Sequence, residues 1–314
     1  MHRKLILAIL IVLLLAACAP VRTNAPTATL PAAGTSVRLT DGLGRTVIVE
    51  APAQRVVSLA PSNTEVLFAV GAGDQVAGRD MFSDYPAAAL DVQDIGGSMG
   101  EYNLEAIVAL QPDLVLAQGG GFNPPELVAA LEELGLTVYV VPNPVTLEEM
   151  YANLETVAAL TGHESEAAAL VESLQTRVAA VDAVIMTLDD TPSVYYELDA
   201  TDPANPYTAG PGTFVDLLIR RAGGRNIAGD LQGQWVAISM EQLLVADPSI
   251  ILLGDAAYGE TPEKVAARPG WEALTAVQNG QVYPFDDNLV SRPGPRLVDG
   301  LEALARLLHP GLFE

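Results

Sequence analysis

The sequence is poor in the side chains that most active-site chemistry needs. Its 314 residues hold one cysteine, three histidines and 16 Lys+Arg against 39 Asp+Glu, and only 5% are aromatic. A single cysteine excludes any intramolecular disulfide and any cysteine-based metal cluster. Three scattered histidines argue against a His-rich metal site. A formal charge of −23 repels nucleic acid and anionic headgroups, so neither is expected as a partner of the bulk surface. Half of the residues are hydrophobic and 18% are charged. That is enough apolar material for a substantial core, as one large domain or two of ordinary size.

Hydrolytic machinery is missing too. There is no G-x-S-x-G elbow, since Gly210-Pro211-Gly212-Thr213 lacks the serine. Gly119-Gly120-Gly121 and Gly96-Gly97 lack the Lys-Ser/Thr of a phosphate loop. His163 falls in a helical stretch and His309 lies near the end, neither beside an obvious partner. No catalytic residue, resident metal or cofactor is therefore expected. An extracytoplasmic hydrolase stays as the alternative from a different class.

What is present begins with a leader. His2, Arg3 and Lys4 precede the apolar run Leu5–Leu15 and then Ala16-Ala17-Cys18. The run is too short for a spanning helix, which needs about 20 residues, but it suits a signal peptide. Leu-Ala-Ala-Cys resembles a bacterial lipobox, which implies cleavage after residue 17 and lipidation of Cys18. Residues 18–36, with Pro20, Pro26 and Pro31 and no periodicity, read as a flexible tether. The chain would then be anchored to a membrane without spanning it, on the outer or periplasmic side.

Short apolar strands then alternate with helices, the pattern of a parallel sheet covered on both faces. Arg55–Leu59, Leu114–Leu116 and Thr137–Val141 read as strands, and Leu104–Leu110 and Leu127–Leu134 as helices. Ser62 with Glu65, and Thr146 with Glu149, are spaced as capping boxes. Asn103–Ala117 aligns without gaps to Ser239–Leu253, 136 residues on, each with Glu third and Pro tenth. Pro61–Gly78 aligns to Gly212–Gly229, 151 residues on. Two similar α/β lobes with mainly parallel sheets are expected, over residues 37–145 and 189–314. Between them, 146–188 repeats apolar residues at helical spacing. His163–Leu188 alone would make about 39 Å of helix, one long backbone helix bracing the lobes with a ligand cleft between them. Large hinge closure is not expected. Lys264 and Arg268 read as solvated helix residues.

The stretch Arg55-Val56-Val57-Ser58-Leu59-Ala60-Pro61-Ser62-Asn63-Thr64-Glu65, followed by Phe82-Ser83-Asp84-Tyr85-Pro86, Asn103-Leu104-Glu105 and Pro112-Asp113-Leu114-Val115, resembles the helical-backbone substrate-binding proteins of ABC importers. These serve vitamin B12, ferric siderophores and haem. The similarity runs from about Leu39 to Leu308, with Asp41–Thr46 as the family's opening hairpin and Asn279–Tyr283 as a late one. Within the family the likeness is strongest to the cobalamin binders. The resemblance implies that Glu105 and Glu241, one per lobe, dock onto arginines of a permease dimer whose ATPase subunits supply energy. It also implies a transported ligand, cobalamin or a related corrinoid, with a ferric siderophore or haem as the alternative. Loop aromatics and neighbours are the candidate contacts: Phe82, Tyr85, Met99, Tyr102, Tyr207 and Trp235, together with Asp287, Asn288 and Arg292. Trp235 matches a tryptophan of the cobalamin binders, whereas Met99 stands where they carry an aromatic. Arg292 and Arg296 have a second reading, as structural partners of nearby acids. A monomer is expected.

Overall fold

A computed structural model describes residues 35–98 and 100–313. The leader, Cys18, almost all of the expected tether, and Met99 lie outside the described residues. The described chain opens with β1 (Thr35–Thr40) pairing antiparallel to β2 (Thr46–Ala51). Asp41 closes this hairpin: its Oδ1 accepts from the N–H of Leu43 and Arg45, and its Oδ2 takes the Arg45 guanidinium. β1 begins at Thr35, two residues before the expected start of the first lobe.

The first lobe follows as β3 (Val56–Ser58), α1 (Pro61–Ala69), β4 (Val76–Arg79), β5 (Gln93–Asp94), the small hairpin β6 (Gly96–Ser98) and β7 (Glu101–Tyr102), α2 (Leu104–Ala109), β8 (Leu114–Gln118), α3 (Pro125–Glu133) and β9 (Val138–Val141). Its sheet is parallel throughout, in the order β5-β4-β3-β8-β9. Every residue of β8 and β9 is buried, as strands covered on both faces must be.

Two helices connect the lobes, the second of them the expected long backbone helix. α4 (Leu147–Thr161) ends at Gly162, whose φ of 80° takes the left-handed C-cap, and α5 (Glu164–Ile185) then runs for 22 residues, or about 33 Å. The second lobe comprises β10 (Ser193–Asp199), β11 (Tyr207–Ala209), α6 (Phe214–Arg221), β12 (Arg225–Asn226), β13 (Trp235–Ala237), α7 (Met240–Ala246), β14 (Ile250–Leu253), α8 (Pro262–Ala266), α9 (Thr275–Gln278), β15 (Val282–Pro284), α10 (Asn288–Ser291) and α11 (Leu297–Leu308). β12, β10, β14 and β15 repeat the parallel order of β4, β3, β8 and β9, and the antiparallel strands β11 and β13 extend the sheet beyond β10.

The internal echo reaches the backbone. Among the described residues the two non-glycines with positive φ are Gln111 (48°) and Asp247 (38°). They are equivalent positions, each directly before the proline that separates helix from strand. A residue preceding proline is disfavoured in the right-handed helical region, so both helices end by the same left-handed step.

Each lobe keeps a core of its own, around Ile107, Leu131 and Val138 in the first and Trp271, Ile251 and Leu253 in the second. A third cluster runs from Val66 and Leu67 of α1 through Leu154, Leu174 and Val178 of α4 and α5 to Leu301 and Leu304 of α11. The connecting helices are thus part of one apolar interior shared by both lobes. Arg177 of α5 also forks to Asp299 and Glu302 of α11, and Asp182 takes Arg221 of α6.

Four local expectations are corrected. α1 starts at Pro61 with Ala60 as its N-cap and no side-chain cap: proline suits the first helical position, which leaves Ser62 inside the helix and puts at the cap an alanine that has no acceptor. Ser62 instead donates to Gln118, and Glu65 binds arginines. Thr146 caps the Glu149 N–H, but the Glu149 carboxylate returns to the Val145 N–H, one residue earlier than a capping box requires. Asn279–Tyr283 is no hairpin. It is the turn from α9 into β15, which lies parallel to β14. Arg268 is not solvated: it is buried, grips Glu197 through two bonds of 2.7 Å, and lies 4.5 Å over the Trp271 ring.

Candidate ligand cleft

The two lobes face each other across a cavity of about 530 Å³, within the usual range for small-molecule sites. The first lobe supplies residues at or just after the ends of β3, β8 and β9: Ala60–Ser62, Gln118–Phe122, Asn143 and Pro144. The second supplies Gly212–Phe214, Gln234, Trp235 and the Val290–Pro293 segment. Strand carboxyl ends are where open α/β sheets leave room for ligands.

Two aromatic rings dominate the walls. Trp235, at the start of the edge strand β13, is 56% exposed, and Phe122 is 53% exposed. Phe122 follows Gly119-Gly120-Gly121, where Gly120 and Gly121 take φ of 71° and 87°. A Cβ at Gly120 would lie 2.7 Å from the Asn143 Cβ, so this turn requires glycine. Phe122 was not singled out in the sequence. Its signal was an aromatic directly after a glycine run that follows a strand.

The polar part of the wall is uncharged save for one group. The Ser62 hydroxyl donates to Gln118 Oε1, Gln118 Nε2 lies 3.4 Å from Asn143 Oδ1, and Gln234 Nε2 donates to the Gly212 carbonyl. Among the described lining residues there is no Asp, Glu, His, Tyr, Met or Lys. Arg292 is the one charged side chain, and it is already engaged. Its Nη1 donates to Asp84 at 2.6 Å and to Glu65 at 3.2 Å. Glu65, 2% exposed, also takes the Nε and Nη2 of Arg296. Two arginines of the second lobe are thus fastened to two acids of the first.

The other expected contacts lie elsewhere. Phe82 and Tyr85 are exposed; Tyr85 packs under the Arg296 guanidinium, 4.0 Å from ring to Cζ, beside a separate groove against α1 and α5. The Tyr102 hydroxyl donates to the Leu59 carbonyl at 2.7 Å and accepts from Asn123. Burial pushes its pKa up to about 12, so it serves as a neutral strut behind the cleft. Tyr207 opens β11 opposite Ala237. Asp287 accepts from the Tyr196 hydroxyl at 2.8 Å, and Asn288 turns back to Asp286. Glu105 and Glu241 are exposed at equivalent second positions of α2 and α7, behind the N-caps Asn103 and Ser239. Neither has an ion-pair partner among the described residues.

A pair of α/β lobes, braced by helices and leaving a lined but unreactive gap between them, is the architecture of a protein that captures a small molecule and passes it on. The chain belongs to the periplasmic binding protein family, whose model matches residues 56–289. Its members are binding proteins for transport, not enzymes. The uncharacterized ABC transporter substrate-binding lipoprotein YvrC of Bacillus subtilis is 32% identical over 281 residues, covering 88% of this chain and 87% of the relative. The cobalamin-binding protein of Halobacterium salinarum is 32% identical over 276 residues, covering 86% of this chain and 73% of the relative. Among solved structures, the periplasmic haem-binding protein RhuT from Roseiflexus sp. RS-1 superposes with a TM-score of 0.74 at 26% identity, covering 83% of this chain and 99% of that one.

Proposed function

We propose that this chain is the lipid-anchored receptor of an importer for cobalamin or a related corrinoid. The carrying observation is the chemistry of the cleft wall: two large aromatic faces, a run of amides and hydroxyls, and no side chain able to ligate iron among the described lining residues. A corrinoid suits that wall. Its flat ring offers apolar area to Trp235 and Phe122, and its peripheral carboxamides are neutral donors and acceptors matched to Gln118, Asn143 and Gln234. The metal it carries needs no ligand from the protein. Haem would want an axial His, Tyr, Met or Cys, and a polyanionic siderophore would want more cations than the single, paired Arg292. The cobalamin-binding relative supports the same reading.

Anchoring rests on Cys18 in its lipobox-like setting and on a relative that is itself a lipoprotein. Delivery rests on Glu105 and Glu241, two free carboxylates at equivalent helix starts, which suit two arginine forks on a two-fold symmetric permease. Calorimetry of the chain from residue 18 onward against cobalamin, haem and a panel of ferric siderophores tests the ligand. Micromolar or tighter binding of cobalamin alone upholds the reading. Binding of haem or a siderophore in its place overturns it.

A further inference from the structure

Charge in the cleft is governed from the opposite lobe. We propose that Asp84 is a specificity-determining residue, which neutralises Arg292 and so turns the cleft toward neutral ligands and away from anionic chelates. The inference deepens the corrinoid reading and rests on it.

Four charges are joined by ion pairs at the cleft's edge. Arg292 and Arg296 come from the second lobe, Glu65 from α1 and Asp84 from the loop after β4. Glu65 is buried and divided between both arginines, so by itself it would leave the cluster with one net positive charge. Asp84 removes that excess, and its side chain is 57% exposed against 16% for Arg292. Partial burial works to raise the Asp84 carboxyl, but the Arg292 hydrogen bond and charge outweigh it and hold the group below its ordinary value. Asp80 also faces this cluster. It is buried beside Arg79 and bonded by the Ser83 hydroxyl and the Phe82 N–H, so it is turned inward. Asp84 is therefore the acid at this edge whose charge can be removed without unpicking the interior.

Removing that charge need not move Arg292, because Glu65 still holds it and Arg296 still pins the same segment. Asp84→Asn also keeps an acceptor oxygen for Nη1. The guanidinium then presents an uncompensated positive charge to whatever occupies the cleft. One unit charge a few ångströms from an anionic ligand, in partly screened surroundings, is worth about tenfold in affinity.

The test uses ligands matched in shape and different in charge: dicyanocobinamide, whose side chains are amides, and dicyanocobyrinic acid, whose side chains are carboxylates. Calorimetry on the wild type, Asp84→Asn and Asp84→Asn/Arg292→Gln gives the ratio of the two affinities. The expected result is a shift of about tenfold toward the carboxylate form in Asp84→Asn, abolished in the double variant and shrinking in 1 M salt, where screening acts within about 3 Å. An unchanged ratio, or the same shift in the double variant, overturns the proposal. Should none of the three proteins bind either corrinoid, the corrinoid reading itself fails. Haem and its dimethyl ester then form the matched pair, and the same shift or its absence decides the role of Asp84.

Discussion

Replacing Glu65 by Ala should be among the most damaging single changes available to this protein. The carboxylate is 2% exposed, and its charge is shared by Arg292 and Arg296, whose side chains are 16% and 11% exposed. Arg292 would retain Asp84 and Arg296 would retain the face of Tyr85, a contact worth about 0.5–2 kcal/mol. What remains is a nearly buried guanidinium with no ion-pair partner among the described residues. Breaking such a pair from one side costs about 3–5 kcal/mol. A chain of this size loses about 2 °C of Tm per kcal/mol, so the midpoint should fall by about 6–10 °C. Differential scanning calorimetry measures it, and because one apolar cluster joins both lobes, the transition should remain single. Asp84→Ala is the internal control. Its side chain is 57% exposed, and an exposed ion pair contributes about 1 kcal/mol or less. A Glu65→Ala midpoint within 2 °C of the Asp84→Ala midpoint would refute the view of Glu65 as a buried brace.

Trp235→Ala should weaken ligand binding by about 10–100-fold, from about 1.5–3 kcal/mol of lost aromatic burial. Its Tm should stay within about 2 °C, because the ring is already half exposed without ligand; titration calorimetry and a melting curve separate the two effects. Glu105→Arg combined with Glu241→Arg should abolish ligand uptake in cells while the purified chain keeps its affinity, and equal loss of both would remove the docking role. Asp255 gives a pH dependence. Burial, reinforced by the nearby Glu197 charge, raises its pKa from 3.8 to about 7. The folded state therefore binds this proton more tightly than the unfolded state, and stability should fall as pH rises from about 4 to 7. Asp255→Asn should flatten that part of a pH series of urea midpoints, and an unaltered slope would contradict the assignment.

The strands β3, β8 and β9, the mainly parallel character of the sheets and the division into two lobes were legible because they follow from local signals: apolar runs bounded by turns, and prolines that stop helices. The echo at 136 residues was legible as a glutamate and a proline at matching places, and the structure extends it to a left-handed residue before each proline. Long-range pairing was not. Glu65 sits three residues after a serine, and that spacing alone suggests a capping box. The box fails because Pro61 already starts the helix, which frees the acid for a partner 227 residues away. Arg268 misled for the same reason, since nothing near it in sequence announces Glu197 as its buried partner. Trp235 was legible as a cleft residue by resemblance, whereas Phe122 was hidden by a glycine run judged only as a failed phosphate loop.

The second echo explains how a repeat of two similar lobes acquired its brace. At an offset of 151 residues, Glu65 of α1 corresponds to Asp216 of α6, and both acids are buried within their helices. Asp216 finds its counter-ion one turn along its own helix, where Arg220 reaches it at 2.6 Å, and it also accepts from Asn226. The residue corresponding to Arg220 in the first lobe is Ala69. Glu65 consequently has no cation on its own helix, and a buried carboxylate without one is costly. The charge is met from across the gap by Arg292 and Arg296. One substitution between equivalent positions thus accounts for an ion pair that is internal in the second lobe and bridges both lobes in the first. Placing an arginine at Ala69 together with Arg296→Ala should satisfy Glu65 within its own lobe. Such a protein should regain much of the stability lost in Arg296→Ala alone, and it should do so without restoring the Arg296 bond between the lobes, leaving Arg292 as the bridge.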